Sequence, residues 1–485
     1  MEVVGPRTLS GAPARLLAGD LALAVAYRAL LVAIAIGPAS SSLAIPGRGA
    51  DWTREPLFRL VDAPLLVIAA LQLLPVLSRV RSLVRTPRRV TPADLGLLAF
   101  VGMVALVGVS WAVQGRAIGG LMFVRLIASV GIADLVRRLA VSRRVVVLKT
   151  MVGLVVFEGI VCFTQLLVDG PIGLGLLGEG SDPFNRLGPW RAPMGTSYYP
   201  YPLSAVALLT LGLTLWSVDR GALRLRWGVA GALAAGLIVG SGYSVVGVAM
   251  VIGIVAAFAV RSLPAASGLG AGSGLRAASG LRAGSGLGAV SGRRAGSGLG
   301  AVSGRRAGSG MGAGSGLPRR FVGAGGLVLV VFLGSFAITG ASLDEGWVWK
   351  GERSSSSDAA VASSGRADQI RVGIAVTKKW PLLGVGPGNF AVMRESYPEF
   401  DRVSTDAQIP HSVPVLIAVE AGLPALVLFV LSVGATLWRR PRRALVVVMA
   451  MSGYLAGDLM HWYTGFGAMQ LGIWFGFLLI TRDEP

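Results

Sequence analysis

Two long polar stretches interrupt an otherwise apolar chain, and they hold most of its candidate chemistry. Residues 169–201 contain Arg186 and Arg191, and residues 340–412 contain Arg366, Arg371, Lys378, Lys379 and His411. The other histidine is His461. Arginine offers a planar fork of N–H donors that matches phosphate and stays charged at any working pH. Histidine accepts a proton near neutrality. Together these residue types could grip a diphosphate leaving group while a hydroxyl is activated, although each arginine alone also fits a solvated loop charge. Arg125 stands apart because it falls inside an apolar run. A charge at that depth costs roughly 3 kcal/mol or more, so it is expected to serve function, to snorkel outward or to pair with an acid such as Glu158. The string from Trp380 to Phe390 is rich in glycine, but no Gly-Lys-Ser/Thr follows, which excludes a phosphate-binding loop of the nucleotide type.

The elements that must position these residues are membrane spans. The chain has 485 residues, of which 53% are hydrophobic and only 14% charged, against about 25% charged in a soluble domain. Twelve apolar runs approach the length needed to cross hydrocarbon, roughly 20 residues: 16–37, 58–77, 93–113, 119–136, 145–168, 202–218, 227–240, 243–260, 321–339, 413–436, 444–459 and 466–481. The expected fold is therefore an all-α polytopic membrane protein of about twelve spans. The apolar stretch at 16–36 carries Asp20 and Arg28 and no convincing cleavage site, so it reads as a first span and not as a signal peptide.

A net charge of +20 invites a nucleic-acid reading. The basic residues, however, sit in short clusters between apolar runs: Arg79–Arg89, Arg137–Arg144, Arg220–Arg226 and Arg439–Arg443. Clusters at every second loop mark the cytoplasmic side, which places both termini in the cytoplasm and loops 169–201 and 340–412 outside. The partner this implies is the lipid bilayer, with no nucleic acid. Cys162 is the single cysteine, so an intrachain disulfide is excluded, and its place in a span suits a small buried apolar residue.

Three regions follow. Residues 1–260 hold eight spans, residues 261–320 form a Gly/Ser/Arg linker, and residues 321–485 hold four spans with the large outer loop between spans nine and ten. The linker repeats Ser285–Gly296 unchanged as Ser297–Gly308. A period of six residues suits a parallel β-helix, but arginine falls at positions that would point into its core, so a flexible basic linker at the cytoplasmic face is expected.

The ordered motifs resemble a known family. Arg191-Ala-Pro-Met-Gly-Thr-Ser leads into Tyr199-Pro-Tyr-Pro; Gly365-Arg366, the Pro381-to-Phe390 string, Pro410-His411 and Glu420-Ala-Gly-Leu follow in order. This set is similar to the signature of the bacterial O-antigen ligase and polymerase superfamily. The resemblance implies an inverting, metal-independent glycosyltransferase of the GT-C type in the cytoplasmic membrane, with no cofactor. Its donor would be a glycan on undecaprenyl diphosphate and its acceptor a hydroxyl on a glycan, lipid or protein. By motif, Arg191 and Arg366 would hold the diphosphate and His411 would assist the acceptor. Arg125, Arg186, Arg371, Gly386 and Gly388 are counted with them as candidate contacts to diphosphate or glycan. The chain departs from the pattern at Ser412, where the family often has Asn, and at Ser241-Gly242-Tyr243, where it often has Ser-Arg. A transporter or flippase without chemistry, or a subunit of a polysaccharide assembly complex, would carry the same spans; the long outer loop with its histidine favours the enzyme.

Overall fold

The protein is described here from a computed structural model covering residues 12–38, 58–86, 90–115, 117–177, 179, 181–187, 190–196, 200–219, 223–241, 366–393, 412–437 and 464–480. In chain order the helices are α1 (Ala12–Ile36), α2 (Asp62–Arg85), α3 (Pro92–Gln114), α4 (Ala117–Arg138), α5 (Val141–Val168), α6 (Pro200–Asp219), α7 (Leu225–Ser241), α8 (Arg366–Lys379), α9 (Phe390–Met393), α10 (Val413–Leu437) and α11 (Gly465–Leu478). Six of them, α1 to α5 and α10, are long and apolar enough to cross a membrane, and α6, α7 and α11 contain shorter apolar stretches. The expected spans at 243–260, 321–339 and 444–459 lie outside the described residues, as do the linker 261–320, residues 340–365 and 394–411, and both histidines. The described residues are mostly helical, as expected, with one short exception. A short antiparallel hairpin, β1 (Phe184–Leu187) and β2 (Trp190–Pro193), stands between α5 and α6.

Local sequence explains where the helices stop and start. α3 begins at Thr91-Pro92-Ala93-Asp94, where the Thr91 hydroxyl accepts the Asp94 N–H and the Asp94 carboxylate accepts the Thr91 N–H, both at 3.2 Å. Two N-terminal donors are thereby satisfied, and Pro92 occupies the first turn, where no N–H is needed. The helix ends at Gly115, in a left-handed conformation (φ 69°) that glycine adopts without strain.

Packing makes α4 central and α1 peripheral: 72% of the apolar window of α4 is buried, against 22% for α1. Water supplies no drive for helices to meet inside hydrocarbon, so close packing and hydrogen bonds must do it. α11 presents Gly472 and Gly476, one turn apart, to Ser129 and Ala133 of α4; a Cβ at 472 would stand 2.7 Å from the Ser129 carbonyl oxygen. The backbones can then approach closely enough for the Ser129 hydroxyl to donate to the Ala468 carbonyl at 2.7 Å. Gly96 of α3 meets Ser432 and Thr436 of α10 in the same way. Phe100 and Phe475 fill the core between these helices, with ring centroids 4.6 Å apart.

The arginine clusters at one end of the bundle are tied into structure. Asp134 accepts from Arg137 at 2.6 Å and from Arg138 at 2.8 Å. Arg79 pairs with Asp94, and Arg138 also donates to Gln72. α2, α3 and α4 are cross-linked at this end of the bundle.

Candidate functional site

The opposite end of the bundle gathers the two motif segments, each pinned by a buried polar residue of a span. The first is the turn at Gly195-Thr196. Glu158, Cys162 and Gln165 recur at helical spacing along α5 and are all buried. Glu158 accepts the Thr196 N–H at 2.9 Å and also the Thr196 hydroxyl. Gln165 and Gly195 exchange two hydrogen bonds, side-chain amide to carbonyl and backbone N–H to side-chain oxygen, each at 3.0 Å. The Gln165 amide also donates to Glu179 at 2.9 Å. Position 195 must be glycine: its φ is 61°, and a Cβ would strike the Glu158 carboxylate.

Glu179 organises the loop before the hairpin. It accepts the Ile172 N–H at 2.8 Å and the Leu174 N–H at 2.6 Å. Burial acts to raise its pKa, but the hydrogen bonds from Gln165, Ile172, Leu174 and Gly173 outweigh that and hold the carboxyl below its ordinary value.

The hairpin rises from this anchored base, closed by the Met194 N–H donating to the Pro183 carbonyl at 2.9 Å. Its register sets Arg186 opposite Arg191. Cross-strand partners and residues two apart share a face of a ribbon. Positions 186 and 191 therefore share the face of Phe184 and Pro193, which are buried.

The second segment is the glycine-rich turn. It docks edge-on against α10, where that helix breaks at Gly422 (φ 85°, ψ 170°) ahead of Pro424. The Val385 N–H donates to the Val419 carbonyl at 2.8 Å, Gly386 to the Glu420 carbonyl at 3.0 Å, and the Leu423 N–H returns to the Pro381 carbonyl at 2.8 Å. The Ser110 hydroxyl of α3 lies 2.5 Å from the Leu383 carbonyl and 2.8 Å from that of Glu420. The Glu420 carboxylate takes the Gly388 N–H at 2.9 Å. Gly384 (φ 64°) and Gly422 face each other's segment so closely that a Cβ on either would enter a backbone carbonyl. Pro381–Phe390 and Glu420–Leu423 are thus two halves of one joint.

The candidate residues of the sequence take the following places. Gly386 and Gly388, expected to contact substrate, donate their amides to Glu420 and hold the joint. Arg125 was expected to contact diphosphate or glycan, to snorkel outward or to pair with an acid such as Glu158. Its Nε and Nη2 instead donate to Asp62 at 2.8 and 2.6 Å, with both residues buried. Glu158 serves Thr196. Arg366 and Arg371 lie on α8, which packs against the first half of α10 through Val372, Val376, Val415 and Val419. His411 is outside the described residues, immediately before Ser412, whose carbonyl accepts the Leu416 N–H at 2.9 Å as α10 begins. The candidates therefore fall into two groups at one end of the bundle: the hairpin on α5, and α8 with the glycine turn on α10 and α3. Gln165, Ser110 and Glu179 escaped the sequence reading, because a single polar residue, whether in a span or in a loop, carries no periodic signal.

Among the described residues no group of three His, Cys, Asp or Glu side chains is placed to hold a metal ion. The apolar helices, the arginine-tied end and the folded loops define a multi-pass helical membrane protein. Comparison with protein-family models, curated proteins and solved structures returns no match.

Proposed function

We propose that the chain is a membrane glycosyltransferase that moves a glycan from a polyprenyl diphosphate carrier to a hydroxyl acceptor, as a ligase or polymerase of cell-envelope polysaccharide. The observation that carries this reading is the hairpin register that sets Arg186 against Arg191 on a face shared with buried positions. A diphosphate has the charge to offset two guanidiniums, and each guanidinium can bond it through two donors. Its lipid tail keeps it at headgroup depth, the level of a loop seated on the ends of spans. Arg366 and Arg371 on α8 would add charge from the other group, and His411, next to the start of α10, would take the acceptor's proton. Charge neutralisation and positioning would supply most of the rate. In this scheme the site faces outward from a bacterial cytoplasmic membrane, and both termini are cytoplasmic.

The test is binding and turnover of a polyprenyl diphosphate glycan by purified protein in lipid. Arg186→Lys and Arg191→Lys keep the charge but lose the fork, and each should weaken donor binding. His411→Ala should lower turnover by about 10²–10⁴-fold while sparing donor binding. Full activity in all three variants would overturn the proposal.

A further inference from the structure

The glycine turn also carries exposed apolar side chains, and their position says what they touch. Leu423, Val427, Val430 and Leu431 are exposed along one face of α10. α10 is a span by length and hydropathy, so this face meets lipid. The stripe does not end at the break in α10. Leu382, 71% exposed, sits against Gly422, and Trp380, two residues before it, is exposed as well. The turn is set below the helix ends. Ser110, which holds it, is four residues short of Gln114, or about 6 Å at 1.5 Å per residue. Glu420 is seven residues into α10, or about 10 Å.

Exposed apolar residues at that depth lie within the membrane, and two exposed lysines stand directly beside them. Lys378 and Lys379 form the last turn of α8, immediately before Trp380. Ile374, one turn back on α8 from Lys378, is exposed as well. Lysines at a helix C-terminus complement the helix dipole, which accounts for their charge but not for the apolar surround. Lysine stems lie along apolar surface and lift the ammonium toward the headgroups, and tryptophan favours the same interface.

We propose that Lys378, Lys379, Trp380, Leu382 and the α10 stripe form a docking surface for an anionic phospholipid. The phosphate meets the two ammonium groups and the acyl chains follow Leu382, Leu423 and Val427 down α10. The occupant is a bilayer lipid, so this holds whether or not the chain transfers glycans.

Two measurements on the full chain in vesicles test it. A nitroxide attached at Leu382→Cys, in a Cys162→Ala background, should be relaxed by oxygen and shielded from a water-soluble nickel complex. Spin-labelled phosphatidylglycerol should also be held at the protein in preference to spin-labelled phosphatidylcholine. The preference should fall in Lys378→Gln/Lys379→Gln, by up to about fivefold for each lysine, and return in Lys378→Arg/Lys379→Arg. A nitroxide exposed to the nickel complex would overturn the proposal. So would a lipid preference that is absent, or one that the glutamine pair leaves unchanged.

Discussion

Removing one partner of the Asp62–Arg125 pair should cost far more than removing both. Arg125 gives two hydrogen bonds to the Asp62 carboxylate, at 2.8 and 2.6 Å, and the two residues are 3% and 1% exposed. Asp62→Leu leaves a guanidinium buried beside leucine, without the carboxylate that neutralised it. Breaking a buried pair in this way costs about 3–5 kcal/mol. The Arg59 N–H, which also donates to Asp62 at 2.8 Å, loses its acceptor and adds to the effect. Asp62→Leu with Arg125→Met removes both charges and leaves a packing mismatch and the Arg59 N–H without Asp62, so most of the loss should return, as a double-mutant cycle would report. The assay is unfolding in mixed micelles by titration with denaturing detergent, followed by near-ultraviolet circular dichroism. A single variant within about 1 kcal/mol of the parent, or a double variant no better than the single, would refute the reasoning. The same double variant also decides the role of Arg125: if it folds stably but no longer binds a polyprenyl diphosphate donor, the arginine does more than neutralise Asp62.

Other consequences follow from the joints and the loop. Gly384→Ala should destabilise by about 2–5 kcal/mol, since it meets both a left-handed backbone and the Val419 carbonyl. Gly434→Ala, on the same α10 but with open space at its Cβ, should be neutral or stabilising by up to about 1 kcal/mol, measured in the same unfolding titration. Glu158→Leu should free the Gly195-Thr196 turn, making residues 181–196 sensitive to added protease while α5 stays folded. The low pKa of Glu179 fixes a sign: its stabilisation is complete above the unfolded carboxyl value, about 4.3, and is lost as pH falls through the lower folded value. Protection of the Ile172 and Leu174 amides against hydrogen exchange, corrected for intrinsic rate, should be level from pH 7 to about 5 and fall below about 4. In Glu179→Gln it should be flat.

Sequence alone determined that the chain is built of spans, because length and hydropathy of a run are local properties that hydrocarbon tests one helix at a time. It also located the arginine clusters that lie at one end of the bundle and marked both motif segments. The described helices fall on nine of the expected runs, and Cys162 is buried and free within α5. What each polar residue does was decided by tertiary structure. Asp62 and Arg125 are 63 residues apart, and Glu420 and Gly388 are 32 apart on different elements. A buried charge takes whichever partner the packing brings within hydrogen-bond reach, and no spacing along the chain records which one that is. Arg186 against Arg191 is the intermediate case: the two are close in sequence, but only the register of the hairpin, whose base is anchored by Glu158 and Gln165 of α5, makes them cross-strand partners.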